Sequence, residues 1–179
     1  MRVEVTTWYL EMLDPAQLRS TSPGDYDLRI EQVQIPSPEF SRFLYTSVGG
    51  DWHWHDRLKW SYDQWLTYLR RPEVQTWVAY VSGTPAGYVE LEAQPEHNVE
   101  IAYFGILRPF IGQRLGGHLL GVGIEKAWAM GAKRVWVHTC SLDGPYALAN
   151  YKARGFQVYK QEVHAEELPE KPIGPWNGA

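Results

Sequence analysis

From residue 74 onward, apolar and polar positions alternate along three successive runs, "VQTWVAYV", "YVELEAQ" and "VEIAYFGIL", separated by "SGTPAG" and "QPEHN". A period of two puts every second side chain on one face of a sheet, and the short breaker-rich connections predict an antiparallel meander. The period then lengthens. "GGHLLGVGIEKAWAM" is helical in spacing and stops at Gly131, "RVWVHTC" returns to a strand, "PYALANYKAR" forms a short helix ended by Gly155, and "FQVYKQEV" is a last strand. Upstream, residues 3–12 and 26–34 are rich in Val, Thr, Tyr and Ile and read as strands on either side of "STSPGD". Between them and the meander lie two helices. One starts with Ser37 as N-cap and Pro38 at the first helical position, the other with a capping box of Ser61 and Gln64. Strand, strand, helix, helix, three strands, helix, strand, helix, strand is a mixed α/β order.

Composition narrows the function classes. The 179 residues, 44% apolar and 21% charged, fit one domain, expected over residues 1–168 and followed by a Pro/Gly-rich tail at 169–179. A net charge of −4 gives no electrostatic footprint for nucleic acid or for an anionic membrane. No run approaches the ~18 apolar residues of a membrane helix, the first residues do not read as a signal peptide, and the single Cys140 forms no internal disulfide, so a cytoplasmic protein is expected. Nine Trp and eleven Tyr are the oddity, and residues 43–80 are crowded with five of the Trp and four of the Tyr.

The stretch "IGQRLGGHLL", residues 111–120, puts Gly112, Gly116 and Gly117 where a strand gives way to a helix. A helix start carries unsatisfied N–H groups and partial positive charge, and glycine lets a ligand approach them, so a phosphate is a natural guest. A P-loop would need Gly-Lys followed by Ser or Thr, which is missing. A dinucleotide fold would need its glycines early in a parallel βαβ unit, whereas these follow an antiparallel meander.

The segments "VEIAYFGILRPFIGQRLGGHLL", "RVWVHTC" and "PYALANYKARGF", over roughly residues 75–160, resemble the acetyl-CoA-binding half of the GCN5-related N-acetyltransferase (GNAT) superfamily. The family turn reads Gln/Arg-x-x-Gly-x-Gly/Ala; here Ile111 stands at the first position and Arg114 at the usual first glycine, while Gly116 matches. The later signature is complete in Ala147, Tyr151, Gly155 and Phe156. The resemblance implies a mostly antiparallel central sheet with helices on both faces and a splayed strand pair that binds acetyl-CoA. It implies that the amides of Gly112, Gln113, Arg114, Leu115, Gly116 and Gly117 hold the diphosphate. The pantetheine arm would then lie against Gly105, Ile106 and Leu107, with Ala147 small enough to let it pass. Gly105 also marks a bulge.

Acetyl transfer to an amine needs a proton acceptor, a donor to the acyl oxygen and a proton for the departing thiolate. By resemblance Glu100 is the base, Tyr151 is the acid, and the Ile106 amide polarises the carbonyl; Glu90 and Glu92 alternate on the neighbouring strand and share a face, so either could replace Glu100, Glu90 first. Cys140 reads as a buried thiol rather than a nucleophile, and His118 either contacts phosphate or faces water. In "GGDWHWHDRLKW", His53, His55 and Asp56 fall short of a metal-ligand set, so no metal is expected. Trp52, Trp54 and Trp60 instead read either as packing or as walls of an acceptor site, in which Asp51 or Asp56 attracts a protonated amine. A small-molecule amine is the expected acceptor ahead of a protein. Dimers are common in such folds, though nothing in the sequence marks an interface. The rival reading is a non-catalytic acyl-CoA-binding module, which has no need of Glu100 or Tyr151.

Overall fold

The computed structural model describes residues 1–168 and Gly174; the tail expected over 169–179 otherwise lies outside the described residues. In chain order the elements are β1 (Arg2–Met12), β2 (Leu28–Gln32), α1 (Pro38–Gly49), α2 (Tyr62–Leu69), β3 (Val74–Val81), β4 (Thr84–Gln94), β5 (Asn98–Ile106), α3 (Leu115–Ala129), β6 (Arg134–Cys140), α4 (Ala147–Ala153) and β7 (Gln157–Glu167). Local chemistry sets several boundaries. Ser37 accepts the Phe40 N–H at the start of α1, and Ser61 and Gln64 satisfy each other's backbone donors at the start of α2. The β3–β4 turn is tighter than the sequence suggests. Only Ser82 and Gly83 form it, both with positive φ (48° and 82°), as a two-residue hairpin requires, and β4 therefore begins at Thr84.

The strands form one seven-stranded sheet in the order β2-β3-β4-β5-β6-β1-β7. Every neighbouring pair is antiparallel except β5 and β6. The first strand of the chain thus lies between β6 and the last strand, with Tyr9 opposite both His138 and Lys160. On one face α3 lays Leu119, Leu120, Ile124 and Ala127 against Leu10, Val89, Leu91, Ile101 and Val137, all essentially excluded from solvent. On the other face α1 packs Leu44 and Val48 onto Val78 and Tyr88.

One register shift positions the site. Glu90 pairs with Tyr103 but Leu91 pairs with Ile101, so Ala102 is an extra residue in β5. The bulge expected at Gly105 is therefore at Ala102. Gly105 is small for another reason, because a Cβ there would run into the Val48 side chain of α1. Beyond the bulge the alternation of β5 is inverted, and Phe104 and Ile106 join Ile101 on the α3 face.

Candidate active site

β5 and β6 pair in parallel over only three positions, Asn98 with Arg134, Val99 with Val135 and Glu100 with Trp136. Past that point, where the Ala102 bulge bends β5, the strands part. The gap is the inner end of a cleft of about 910 Å³, which runs from the α3 N-terminus to the connection between α1 and α2.

At the α3 end the turn holds its shape by contacts of its own. The Tyr26 hydroxyl donates to the Gln113 carbonyl at 2.7 Å, and the Gln113 side chain donates back to the Pro109 carbonyl at 2.8 Å. Gly112 has φ +82°, and Arg114, at the helix N-cap, has φ +63° and provides no side-chain cap. Arg114 is thus a left-handed residue at the position where the family pattern has glycine, a conformation with a cost of ~1–2 kcal/mol for a side chain with a Cβ. With no side chain capping them, the first amides of α3 are free to receive an anion, so the turn fits the diphosphate of coenzyme A.

The residues expected to hold the cofactor divide. Gly105, Ile106, Gly112, Arg114, Gly116, Gly117 and Ala147 all line the cleft. Leu107, Gln113 and Leu115 do not: the Leu107 N–H is engaged by the Ala86 carbonyl at 2.9 Å, Gln113 folds back on Pro109, and Leu115 is buried in the core. His118 turns instead toward the Thr21 carbonyl, 2.8 Å from its Nδ1.

Tyr151, on α4 one turn after Ala147, is buried yet lines the cleft, packed edge-on against Phe104 and Phe156. Burial pushes its phenol well above the ordinary tyrosine range, so it is protonated at neutral pH and able to donate. Cys140 also lines the cleft; burial raises its thiol, which leaves it protonated and poorly nucleophilic.

Glu100 lies at the last paired position of β5, just behind the cleft wall. Its side chain is 12% exposed, with one carboxylate oxygen 2.7 Å from the Gln94 amide nitrogen and the other 3.2 Å from His138 Nδ1. His138, not Glu100, faces the cleft. The Glu100 hydrogen bond raises the imidazole above its ordinary 6.5, burial pulls the other way, and the charges of Glu100, Asp143 and Asp56 reinforce the rise. The sequence carried a signal for this residue: in "RVWVHTC" the alternation that buries Val135, Val137 and Thr139 turns Trp136 and His138 to the opposite face, beside Glu100.

Glu90 is elsewhere. It is 2% exposed and takes hydrogen bonds from Arg57 at 2.8 and 3.1 Å and from Tyr68 at 2.8 Å. Burial pushes its carboxyl up while Arg57 and Tyr68 pull it down. The Arg57 guanidinium is enclosed by the rings of Trp60, Tyr68 and Tyr103 at 4.7, 4.2 and 4.4 Å. Glu90 and Trp60 therefore belong to a buried cationic cage under α2, and neither reaches the cleft.

Trp52, Trp54 and Asp56 do line it. Trp54 is packed as well as exposed to the cleft, with its ring against Tyr45 and Tyr103 and its indole N–H 3.3 Å from Asp143. Asp143, which also accepts from the Thr139 hydroxyl and the Cys140 N–H, ties this wall to the end of β6. Asp51 is not free to attract an amine, since Arg108 grips both its oxygens at 2.6 and 3.2 Å. Among the described residues no group of three or more His, Cys, Asp or Glu is arranged to hold a metal ion, and no helix is long and apolar enough to cross a membrane.

Among solved structures the chain is similar to a GCN5-related N-acetyltransferase from Kribbella flavida, with 15% identity over 92% of this chain and 58% of that one and a TM-score of 0.66. It thus spans little more than half of that protein's length. It is similar over 80% of its own length to an aminoglycoside acetyltransferase from an uncultured soil metagenomic sample, at 16% identity, 97% coverage of that chain and a TM-score of 0.63. The IAA acetyltransferase of Bacillus cereus is similar at 24% identity over 75% of this chain and 79% of that one, with a TM-score of 0.54. None of the curated proteins matches the chain. The model of the acetyltransferase (GNAT) family matches residues 33–156, which take in both helices before the meander, the forked strands, the glycine turn and the Tyr151 helix; the chain belongs to that family.

Proposed function

We propose that the protein is an N-acetyltransferase that passes the acetyl group of acetyl-CoA directly to a primary amine on a small molecule. The observation that carries this reading is the fork of β5 and β6 opening onto the uncapped start of α3. Bound there, acetyl-CoA supplies an activated acyl thioester. The amides of Gly116 and Gly117 and the charge of Arg114 hold the diphosphate, and Gly105 and Ile106 flank the arm, with the Ile106 N–H directed at the acyl oxygen. Tyr151 donates its proton to the departing sulfur. The acceptor enters between Trp52, Trp54 and Asp56, where a carboxylate and aromatic faces suit a protonated amine on arrival. The Glu100 end of the fork removes its proton.

The aromatic connection walls the acceptor side, which favours a small molecule over an extended peptide, and the likeness to an aminoglycoside acetyltransferase supports an amine acceptor. A cytoplasmic location goes with this reading. A panel of primary amines, incubated with acetyl-CoA and followed by free-thiol release, tests it. Release that depends on a particular amine is expected. Binding of acetyl-CoA with no amine-dependent release across the panel would leave only a non-catalytic acyl-CoA module, and no calorimetric heat with coenzyme A would remove both readings.

A further inference from the structure

Where β5 and β6 part, a series of polar side chains crosses the sheet. The Trp136 indole N–H donates to Gln94 Oε1 at 3.0 Å, the Gln94 amide donates to Glu100 Oε2 at 2.7 Å, and Glu100 Oε1 stands 3.2 Å from His138 Nδ1. Each contact fixes the next, so the carboxylate has one orientation and the imidazole one tautomeric preference, with Nδ1 carrying the proton toward Glu100. The imidazole also has two aromatic rings beside it, Tyr9 across the β1–β6 ladder and Trp136 on its own strand, each with its centroid 6.0 Å away. Its side chain is half exposed and lines the cleft, and among the described residues Nε2 makes no hydrogen bond or ion pair.

The other cleft histidines lack this arrangement. His55 Nδ1 is 2.6 Å from the His53 carbonyl, and its Nε2 is turned toward Asp56. His53 sits in the connecting loop in a left-handed conformation, and His164 is on the outermost strand beside Glu166. Only His138 is on a central strand at the fork, backed by a carboxylate that is itself held in place.

We propose that His138 is the base that takes the proton from the acceptor amine, and that Glu100 acts through it as a positioning residue rather than touching the amine. This rests on the acyl-transfer reading above. Once the arriving ammonium has lost one proton to solvent, the neutral nitrogen bonds to the acyl carbon as the carbon–sulfur bond breaks, its remaining surplus N–H proton passes to His138 Nε2, and the sulfur leaves with the bonding pair and takes the Tyr151 proton. His138 then releases its proton to solvent and Tyr151 regains one, so thioester and amine have become amide and thiol. The division of labour follows from geometry, because a base must come within hydrogen-bond reach of the proton it removes and the Glu100 carboxylate is one side chain behind the wall.

A base acts in its neutral form, so the rate rises as pH climbs through the imidazole's pKa. The charged and titratable groups facing the ring are Glu100 from β5, Asp143 from the segment after β6, Asp56 from the α1–α2 connection and Tyr9 from β1. Removing the Glu100 charge therefore moves the titration toward lower pH.

The test uses the full chain and two readouts, an NMR titration of the His138 ring and the pH dependence of kcat with acetyl-CoA and the best amine of the panel. His138→Gln is expected to lower kcat ~10²-fold or more and to remove the inflection, with the heat of coenzyme A binding kept as evidence of folding. Glu100→Gln is expected to cost less and to shift the NMR midpoint and the kinetic inflection downward together. Retention of kcat within about three-fold in His138→Gln overturns the assignment while leaving acyl transfer standing, as does an NMR midpoint that Glu100→Gln does not move. Wild-type protein that acetylates no amine overturns acyl transfer and this assignment with it.

Discussion

Arg114 occupies a left-handed conformation that glycine adopts freely, and its side chain lies on the cleft wall, so one residue carries a conformational cost and a positive charge together. Arg114→Gly is expected to separate the two. Relief of the backbone, less the entropy of an added glycine, stabilises the fold by up to about 1 kcal/mol, read as a higher Tm, while coenzyme A binds a few-fold more weakly by calorimetry. An unchanged Kd would show that the guanidinium plays no part in holding the phosphates. Tyr151 invites a similar separation, because its ring is packed against Phe104 and Phe156 while the residue also lines the cleft, where its hydroxyl is the proposed proton donor. Tyr151→Phe keeps the packing, so Tm and coenzyme A affinity are expected to hold while kcat falls about 10²-fold, the scale of a lost proton donor.

Among the elements, α3 shows why the helix at the glycine turn is not self-supporting. Four of its fifteen residues are glycine, each ~1 kcal/mol worse than alanine in a helix, and it persists because Leu115, Leu119, Leu120 and Ile124 are buried against the sheet. Gly123 lets it settle onto β4, where a Cβ would come within 2.9 Å of Val89. The cage under α2 is stabilised differently, by one buried ion pair roofed with aromatic rings. Glu90→Ala strands the Arg57 charge and is expected to cost about 3–5 kcal/mol in urea unfolding, with little change in coenzyme A affinity. The sequence showed α2, β4 and the rings around this cage plainly, because periodicity and capping are local. It did not show that Glu90 is buried and Glu92 is not, since that is decided by Arg57 arriving from a loop 33 positions away. The fork is hidden for a related reason: one extra residue at Ala102 reverses the face of everything after it, and "IAYF" reads equally well in either phase.

Across the whole molecule, the least legible feature is where β1 goes. Its alternating residues announce a strand, but nothing in them names β6 and β7 as partners, more than 120 positions away. The matched family segment, residues 33–156, does not include it. Yet β1 buries Val5, Leu10 and Met12, lends Val5, Thr7 and Tyr9 to the cleft, and is, among the described residues, the only neighbour β7 has in the sheet. A chain starting at Leu13 is thus expected to lose cooperative unfolding and coenzyme A binding. Well-dispersed amide resonances and retained binding in that shortened chain would show that the segment from α1 to Phe156 stands without it. The order of synthesis gives this arrangement a further meaning. β1 is synthesised more than 120 residues before either partner, so it has neither mate while the meander and α3 are being made. The Tyr9 side of the cleft is complete only once β6 and β7 have emerged, so among the described walls of the cleft this one waits longest on chain synthesis.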